Sequence, residues 1–320
     1  MASQRQRSEI NGTAAFTRIT LTLSGNFGEN EIFMADKVAI ITDSVACISK
    51  ELAEKYGIEV VPLRIIFEDK TYQDGIDLSP AEFYTLFRQA KKLPTTAACS
   101  PAFFFGAYRK VSQRAAGILC ITLSAKLSGM FNSAQLAMEM AKGALPNIAI
   151  KVLDSETAAA AQGLVVLAAA RAAAMGSSLS EVTETAKSVM QKVTLLAVLD
   201  TLRYLVKGGR VPRVAALASS ILRLKPILTI TEGEARPVTN PRTTRGAIER
   251  TLKIMRQKIV TGLPLHVAVM HADALDKAMA LRNQISSQFD CAELFITEFT
   301  PVMGAHTGPG VIGVAFYSGD

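Results

Sequence analysis

The chain has 320 residues, 49% of them apolar and 20% charged, with 35 basic and 28 acidic side chains and no tryptophan. That length suffices for two domains with cores of their own, and the composition excludes both a disordered chain and a small disulfide-stapled one. A net charge of +7, aromatics at only 6% and no basic helix face argue against nucleic acid. Four scattered cysteines and three histidines argue against a zinc site and for a reduced, cytoplasmic protein.

Residues 1–36 read as a disordered leader or tail. They carry Arg5, Arg7 and Arg18 among many Ser, Thr and Asn, and no apolar core of signal-peptide length, so Met34 is the expected native start. The continuous apolar run 38–42 predicts a first strand, followed by Asp43-Ser44 and a helix that stops at Gly57. A second strand is expected over 58–66 and a small hairpin over 67–77. Ser79-Pro80-Ala81-Glu82 has the pattern of a capping box with proline at the first helical position, so a helix runs to about 90. Ser100-Pro101 starts another. A strand at 118–123, a helix at 128–142 and a strand at 148–153 follow, with Asp154-Ser155-Glu156 as caps of an alanine-rich helix. Residues 157–174 are apolar but broken by Gln162, Gly163 and Arg171, which predicts a buried helix and not a membrane span.

Beyond Gly176 the expected helices are 179–191, 201–206, 214–222, 243–258 and 273–288. The expected strands are 195–199, 226–230, 265–270, 292–297 and 311–316. The fold class is therefore α/β: a parallel-sheet domain over 37–176, with the hairpin insertion, and a second α/β layered domain over 177–320.

In open sheets of this kind, ligands bind beyond the carboxyl ends of the strands. Five segments there carry chemistry, each with a plain structural alternative. Asp43-Ser44 either caps a helix or holds a polar ligand group. The hydroxyl-rich segment 94–101, expected as a loop between two helices, contains Thr96, which has no obvious structural task. Ser128-Gly129 either caps the next helix or forms an anion site at its N-terminus. The run from Arg203 through Lys207, Gly208 and Gly209 to Arg210 is either a solvated helix end or a place where backbone amides approach an anion or a partner. Its glycine and lysine spacing is not that of a phosphate-binding P-loop. His306 stands in Gly304-Ala305-His306-Thr307-Gly308-Pro309-Gly310, which reads as a turn that regular structure cannot absorb.

Taken together and in this order, these segments resemble the DegV family, lipid-carrying subunits of bacterial fatty acid kinase. The residues that carry the likeness are Ile41 to Ser44, Thr96 to Ser100, Leu127 to Gly129, Asp154-Ser155, Leu202 to Arg210, Lys225 to Leu228, Arg242-Thr243 and Gly304 to Gly310. The resemblance implies a Rossmann-like N-terminal domain, a C-terminal α/β domain and a fatty-acid tunnel between them. It implies that Thr96 and Ser128, with Gly129 beside them and His306 close by, hold the carboxylate. Arg203, Lys207, Gly208, Gly209 and Arg210 would then belong to the head-group cluster or to a kinase-docking surface. It further implies no cofactor or metal, no catalysis by the chain alone, a separate ATP-dependent kinase as partner, and a place in phospholipid metabolism. Where the family loop reads Thr-Ser-Gln-Pro-Ser, this chain has Thr96-Ala97-Ala98-Cys99-Ser100, and Met130 replaces a threonine. The 11 methionines suggest an adaptable tunnel lining. The alternative is a lipid or acyl hydrolase working alone through Ser128 and His306, although no Gly-x-Ser-x-Gly elbow is present.

Overall fold

The computed structural model describes residues 37–211 and 224–319. The expected leader and the helix expected over 214–222 lie outside the described residues. Strand β1 (Val38–Asp43) is almost wholly buried, as an apolar run covered on both faces must be. It lies in a parallel four-stranded sheet of order β2 (Glu59–Val61), β1, β6 (Gly117–Thr122), β7 (Ala149–Asp154). Helix α1 (Lys50–Tyr56) returns the chain from β1 to β2. Ser49 caps its start, and Gly57 ends it in the left-handed region at φ 62°.

The single strand expected over 58–66 is in fact two. Pro62 has no N–H to give a ladder, and beyond it β3 (Arg64–Phe67) joins a separate antiparallel sheet of order β4 (Lys70–Gln73), β3, β5 (Thr95–Ala97). The segment expected as a loop before Ser100 therefore contains a strand, pinned by the pairing of Thr96 with Ile65. Helix α2 (Pro80–Gln89) has both halves of its capping box in place, and α3 (Pro101–Val111) and α4 (Met130–Ala144) follow.

Helix α5 (Ala159–Ala174) is buried at 13 of its 16 positions. It packs against β1 and β6 on one side and against the second sheet on the other, so no face is left for polar residues. Small side chains let both sheets approach: a Cβ on Gly163 would fall 2.6 Å from the Ala46 carbonyl oxygen. Burial of Leu164, Val165, Val166 and Leu167 stabilises this junction by roughly 1.5–3 kcal/mol per side chain. The expected capping by 154–156 is not what forms. Ala158 occupies the N-cap with no side-chain bond, and Asp154 instead accepts from the Ala125 and Glu156 amides.

After α6 (Leu179–Lys192) the second sheet begins with β8 (Thr194–Val198) and contains β9 (Ile227–Thr231), β10 (Glu234–Thr239), β11 (Leu265–His271), β12 (Glu293–Glu298) and β13 (Ile312–Ser318). Its order is β10-β9-β8-β13-β11-β12, antiparallel except for β11 with β12. Strand β10 was not expected from the sequence. Its hairpin turns through Glu232 and Gly233, both at positive φ, a geometry usually signalled by Asn-Gly or Asp-Gly. Helices α7 (Arg203–Gly208), α8 (Thr244–Lys258), α9 (Leu275–Ser286) and α10 (Pro301–Thr307) complete the described elements. None of the described helices is long and apolar enough to cross a membrane.

Candidate functional site

A cavity opens where β5, the loop after β6, the β8–β9–β10 strands, α7 and α10 meet. Its void measures about 930 Å³ including its open mouth, and 19 of its 25 lining residues are apolar. Leu63, Leu123, Leu127, Leu195, Leu199 and Leu228 supply much of the wall, with Phe299 from the segment that leads into α10 and Met303 from α10 itself. Met303 is the one methionine among the described lining residues; leucine, alanine and valine make most of the wall.

The polar lining residues are Thr96, Ser128, Arg210, Thr229, His306 and Thr307. Thr96 Oγ1 and His306 Nε2 are 2.7 Å apart, though 210 residues separate them in sequence. His306 is not in an irregular turn. It lies in the last turn of α10, which starts at Pro301 behind Thr300, a proline-at-N1 signal that the glycine cluster downstream obscured. The glycines serve close packing. A Cβ on Gly308, at φ 74°, would fall 2.1 Å from the Tyr204 ring, and one on Gly310 would fall 2.3 Å from Asp200.

Ser128 sits one residue before the N-cap of α4, which is Gly129, and its hydroxyl makes no hydrogen bond among the described residues. The capping alternative for Ser128 is therefore not what the chain does. Its backbone is tied back to the Ser124 carbonyl, leaving the hydroxyl turned loose beside the cavity. Two of the departures from the family pattern meet each other: the Cys99 amide donates to Met130 Sδ at 3.4 Å, and the Cys99 carbonyl accepts from Ser133.

The Gly-Gly-Arg run divides. Gly208 backs onto the His306 ring, and Arg210 lines the cavity while donating to the Gly208 carbonyl at 2.7 Å. Arg203, Lys207 and Gly209 are exposed and outside the lining. Burial, reinforced by the positive charge of Arg210, pushes the His306 imidazole down to about 4, so it is neutral at pH 7. Its Nδ1 is buried without a partner among the described residues. Among the described residues the oriented Ser–His pair of a hydrolase is not formed: Nε2 engages Thr96, and no carboxylate holds Nδ1.

Asp43 and Ser44 do not line the cavity. Asp43 accepts from the Val45 and Leu123 amides, and Ser44 donates to Asp74 at 2.6 Å. Sequence reading named neither Thr229 nor Thr307 as site residues. Thr229 stands among apolar residues on β9 and Thr307 in the glycine-rich run 304–310, and only the fold shows that they face a void. No group of His, Cys, Asp and Glu among the described residues could hold a metal ion.

A family model described as "Uncharacterised protein, DegV family" matches residues 37–319. The chain belongs to the DegV family. It is 32% identical over 279 residues to a DegV domain-containing protein of Clostridium perfringens, covering 87% of this chain and 98% of that one. It is 30% identical to the protein DegV of Bacillus subtilis, covering 87% and 98%. Among solved structures it is similar to a fatty-acid-binding DegV family protein from Thermus thermophilus, with TM-score 0.83, 29% identity and coverage of 88% and 99%. The B. subtilis fatty acid binding protein DegV superposes with TM-score 0.81, 30% identity and coverage of 88% and 99%. This DegV chain thus shares its fold with proteins that bind fatty acids.

Proposed function

We propose that this protein holds one long-chain fatty acid, its tail in the apolar cavity and its carboxylate against Thr96 and Ser128, and presents that carboxylate to a separate ATP-dependent kinase for conversion to an acyl phosphate. The observation that carries this reading is one continuous cavity wall, apolar at 19 of its 25 residues, with Thr96, Ser128, His306 and Arg210 among the six polar ones. At about 0.8 kcal/mol per buried methylene, a tail with ~14 of them gains on the order of 11 kcal/mol before the costs of association. The head group then needs only a light hold. Two hydroxyls suit that task, because a bidentate arginine clamp would occupy both oxygens and hinder transfer to either. A carrier that relies on a kinase in trans also has no need of a nucleotide loop. We assign the two larger sheets to two domains, 37–176 (which also holds the small β4-β3-β5 sheet) and 177–320, with the ligand between them.

Organic extraction of the purified protein followed by mass spectrometry tests the reading. One fatty acid per chain is the expected result. An empty cavity that takes up no fatty acid when it is supplied would overturn it. Thr96→Ala and Ser128→Ala should each weaken retention about 10- to 100-fold, the worth of a hydrogen bond to a charged group. They should likewise slow acyl phosphate formation when kinase and ATP are added. Unchanged retention in both variants would remove the head-group assignment.

A further inference from the structure

Four residues of the cavity wall hang from one buried polar frame. Val45 and Leu123 donate their amides to the two oxygens of Asp43, and Val302 donates its amide to Asp74. Leu63 donates its amide to the Ser44 hydroxyl and accepts from the Asp74 amide. Ser44 closes the frame by donating to Asp74 at 2.6 Å. These wall residues come from four parts of the chain: the ends of β1 and β6, the link between β2 and β3, and the first turn of α10. The bonds to Val45, Leu63 and Leu123 lie within the N-terminal half. Only the bond from Val302 crosses to α10, which carries Met303 and His306 of the cavity wall. It is the one bond of the frame that can part without disturbing the parallel sheet.

This frame contains two carboxylates and no cation. Asp43 and Asp74 are 0% and 2% exposed, and no Lys, Arg or His among the described residues is paired with either. Both cannot stay ionised there without a large penalty, because each charge has lost its water and repels the other. Burial is the main influence on both, and it lifts Asp43 to about 7. The other ionisable groups that feel the pair are the thiols of Cys47, Cys99 and Cys120 and the Tyr84 phenol, which burial pushes up and keeps neutral. We propose that Asp43 and Asp74 are positioning residues that share one proton and thereby clamp α10 against the rest of the cavity wall, so that losing the proton speeds release of the bound lipid. This rests on the lipid-binding reading above and adds a proton-dependent control of release.

The closed frame keeps its proton up to about pH 7, whereas an opened, wetted one gives it up in the ordinary carboxylate range near about 4. Opening therefore releases a proton, grows easier as pH rises between those values and levels off above them. His306 acts in the opposite sense, since burial lowers it from 6.5 to about 4; a comparison of proteins that all retain it removes its share. The test loads the full chain with hexadecane-1-sulfonate, whose charge does not change with pH, and follows release into excess albumin at pH 6 and pH 8. The wild-type rate divided by that of Asp43→Asn should rise about tenfold between the two pH values. Asp74→Asn keeps an oxygen for the Val302 amide but removes one charge. The same ratio taken with it should rise about threefold or more, and it serves alone if Asp43→Asn does not fold. Ratios that stay within about twofold for the folded variants, uniformly faster release included, mark a merely structural frame and overturn the clamp while leaving lipid binding intact. Failure of wild type to retain either the sulfonate or hexadecanoate overturns the lipid reading, and this proposal with it.

Discussion

Two polar clusters lie at the carboxyl ends of the N-terminal strands, and they are built on opposite principles. In the first, Asp43, Ser44 and Asp74 form a closed knot. Asp43 accepts from Val45 and Leu123, and Ser44 donates to Asp74 while accepting from the Leu63 amide. Asp74 in turn accepts from the Val302 amide at 2.9 Å, in the first turn of α10. In the second cluster, the Thr96 hydroxyl meets only the His306 ring, Ser128 has no partner among the described residues, and one nitrogen of His306 is bare. Buried polar groups that satisfy one another make structure. Buried polar groups left open beside an apolar void make a site.

The largest expected effect comes from breaking the closed cluster. Asp43→Ala would leave the buried Leu123 and Val45 amides without acceptors, and each such loss costs about 1–3 kcal/mol. Urea unfolding should therefore show a loss of about 2–5 kcal/mol. Thr96→Ala should cost less, about 1–2 kcal/mol, because it strands one His306 nitrogen beside the cavity and not two backbone amides. Its effect belongs to ligand retention. Equal destabilisation by the two substitutions would erase the distinction between knot and site.

The same contrast explains what could be read from the residues. Strands β1, β6 and β13 are announced by long apolar runs, and α2 by Ser79 and Glu82. Strand β5 has only three residues, too few for a period, and exists because β3 offers it an edge. The knot joins Ser44 to Asp74 and Asp74 to Val302, contacts that no local pattern encodes. Thr96, Ser128 and His306, each taken alone, were as consistent with loops and caps as with a ligand. Their likeness to a family brought them together, and the 2.7 Å contact between Thr96 and His306 shows that two of them do meet. The leucine-rich wall was hidden for another reason: apolar residues on regular elements look alike whether they face a core or a void.

Titration should separate the clusters by sign. Burial, opposed by the Leu123, Gln162 and Val45 hydrogen bonds and aided by Asp74, lifts Asp43 from 3.8 to about 7. The folded state then holds a proton that the unfolded chain has released, so this contribution to stability is present at low pH and fades as pH rises from about 4 to 7. His306 falls from 6.5 to about 4. Here the unfolded chain binds the proton first, so stability is lost as pH falls from about 6.5 to 4. Unfolding free energies across pH 4–8 should therefore tilt one way when wild type is compared with Asp43→Asn, and the other way when it is compared with His306→Gln. Each difference can reach about 1.4 kcal/mol per pH unit. Parallel curves would mean that neither group titrates as its burial requires.

The smallest expected effect sharpens the comparison most, because it concerns the one cation among the described residues that borders the open cluster. Arg210 is exposed although it lines the cavity, and its guanidinium is already engaged by the Gly208 carbonyl. An exposed charge in that position contributes through screened attraction and not through a desolvated clamp. Arg210→Gln should therefore weaken fatty-acid binding only about two- to fivefold at low ionic strength, and the difference should vanish in about 1 M salt. It should also let the His306 pKa rise, since the charge that opposes protonation is gone. A loss of about a hundredfold that persists in salt would mean that the arginine grips the carboxylate directly. The open cluster would then be a closed one once loaded, and the two hydroxyls could no longer leave a carboxylate oxygen free for transfer.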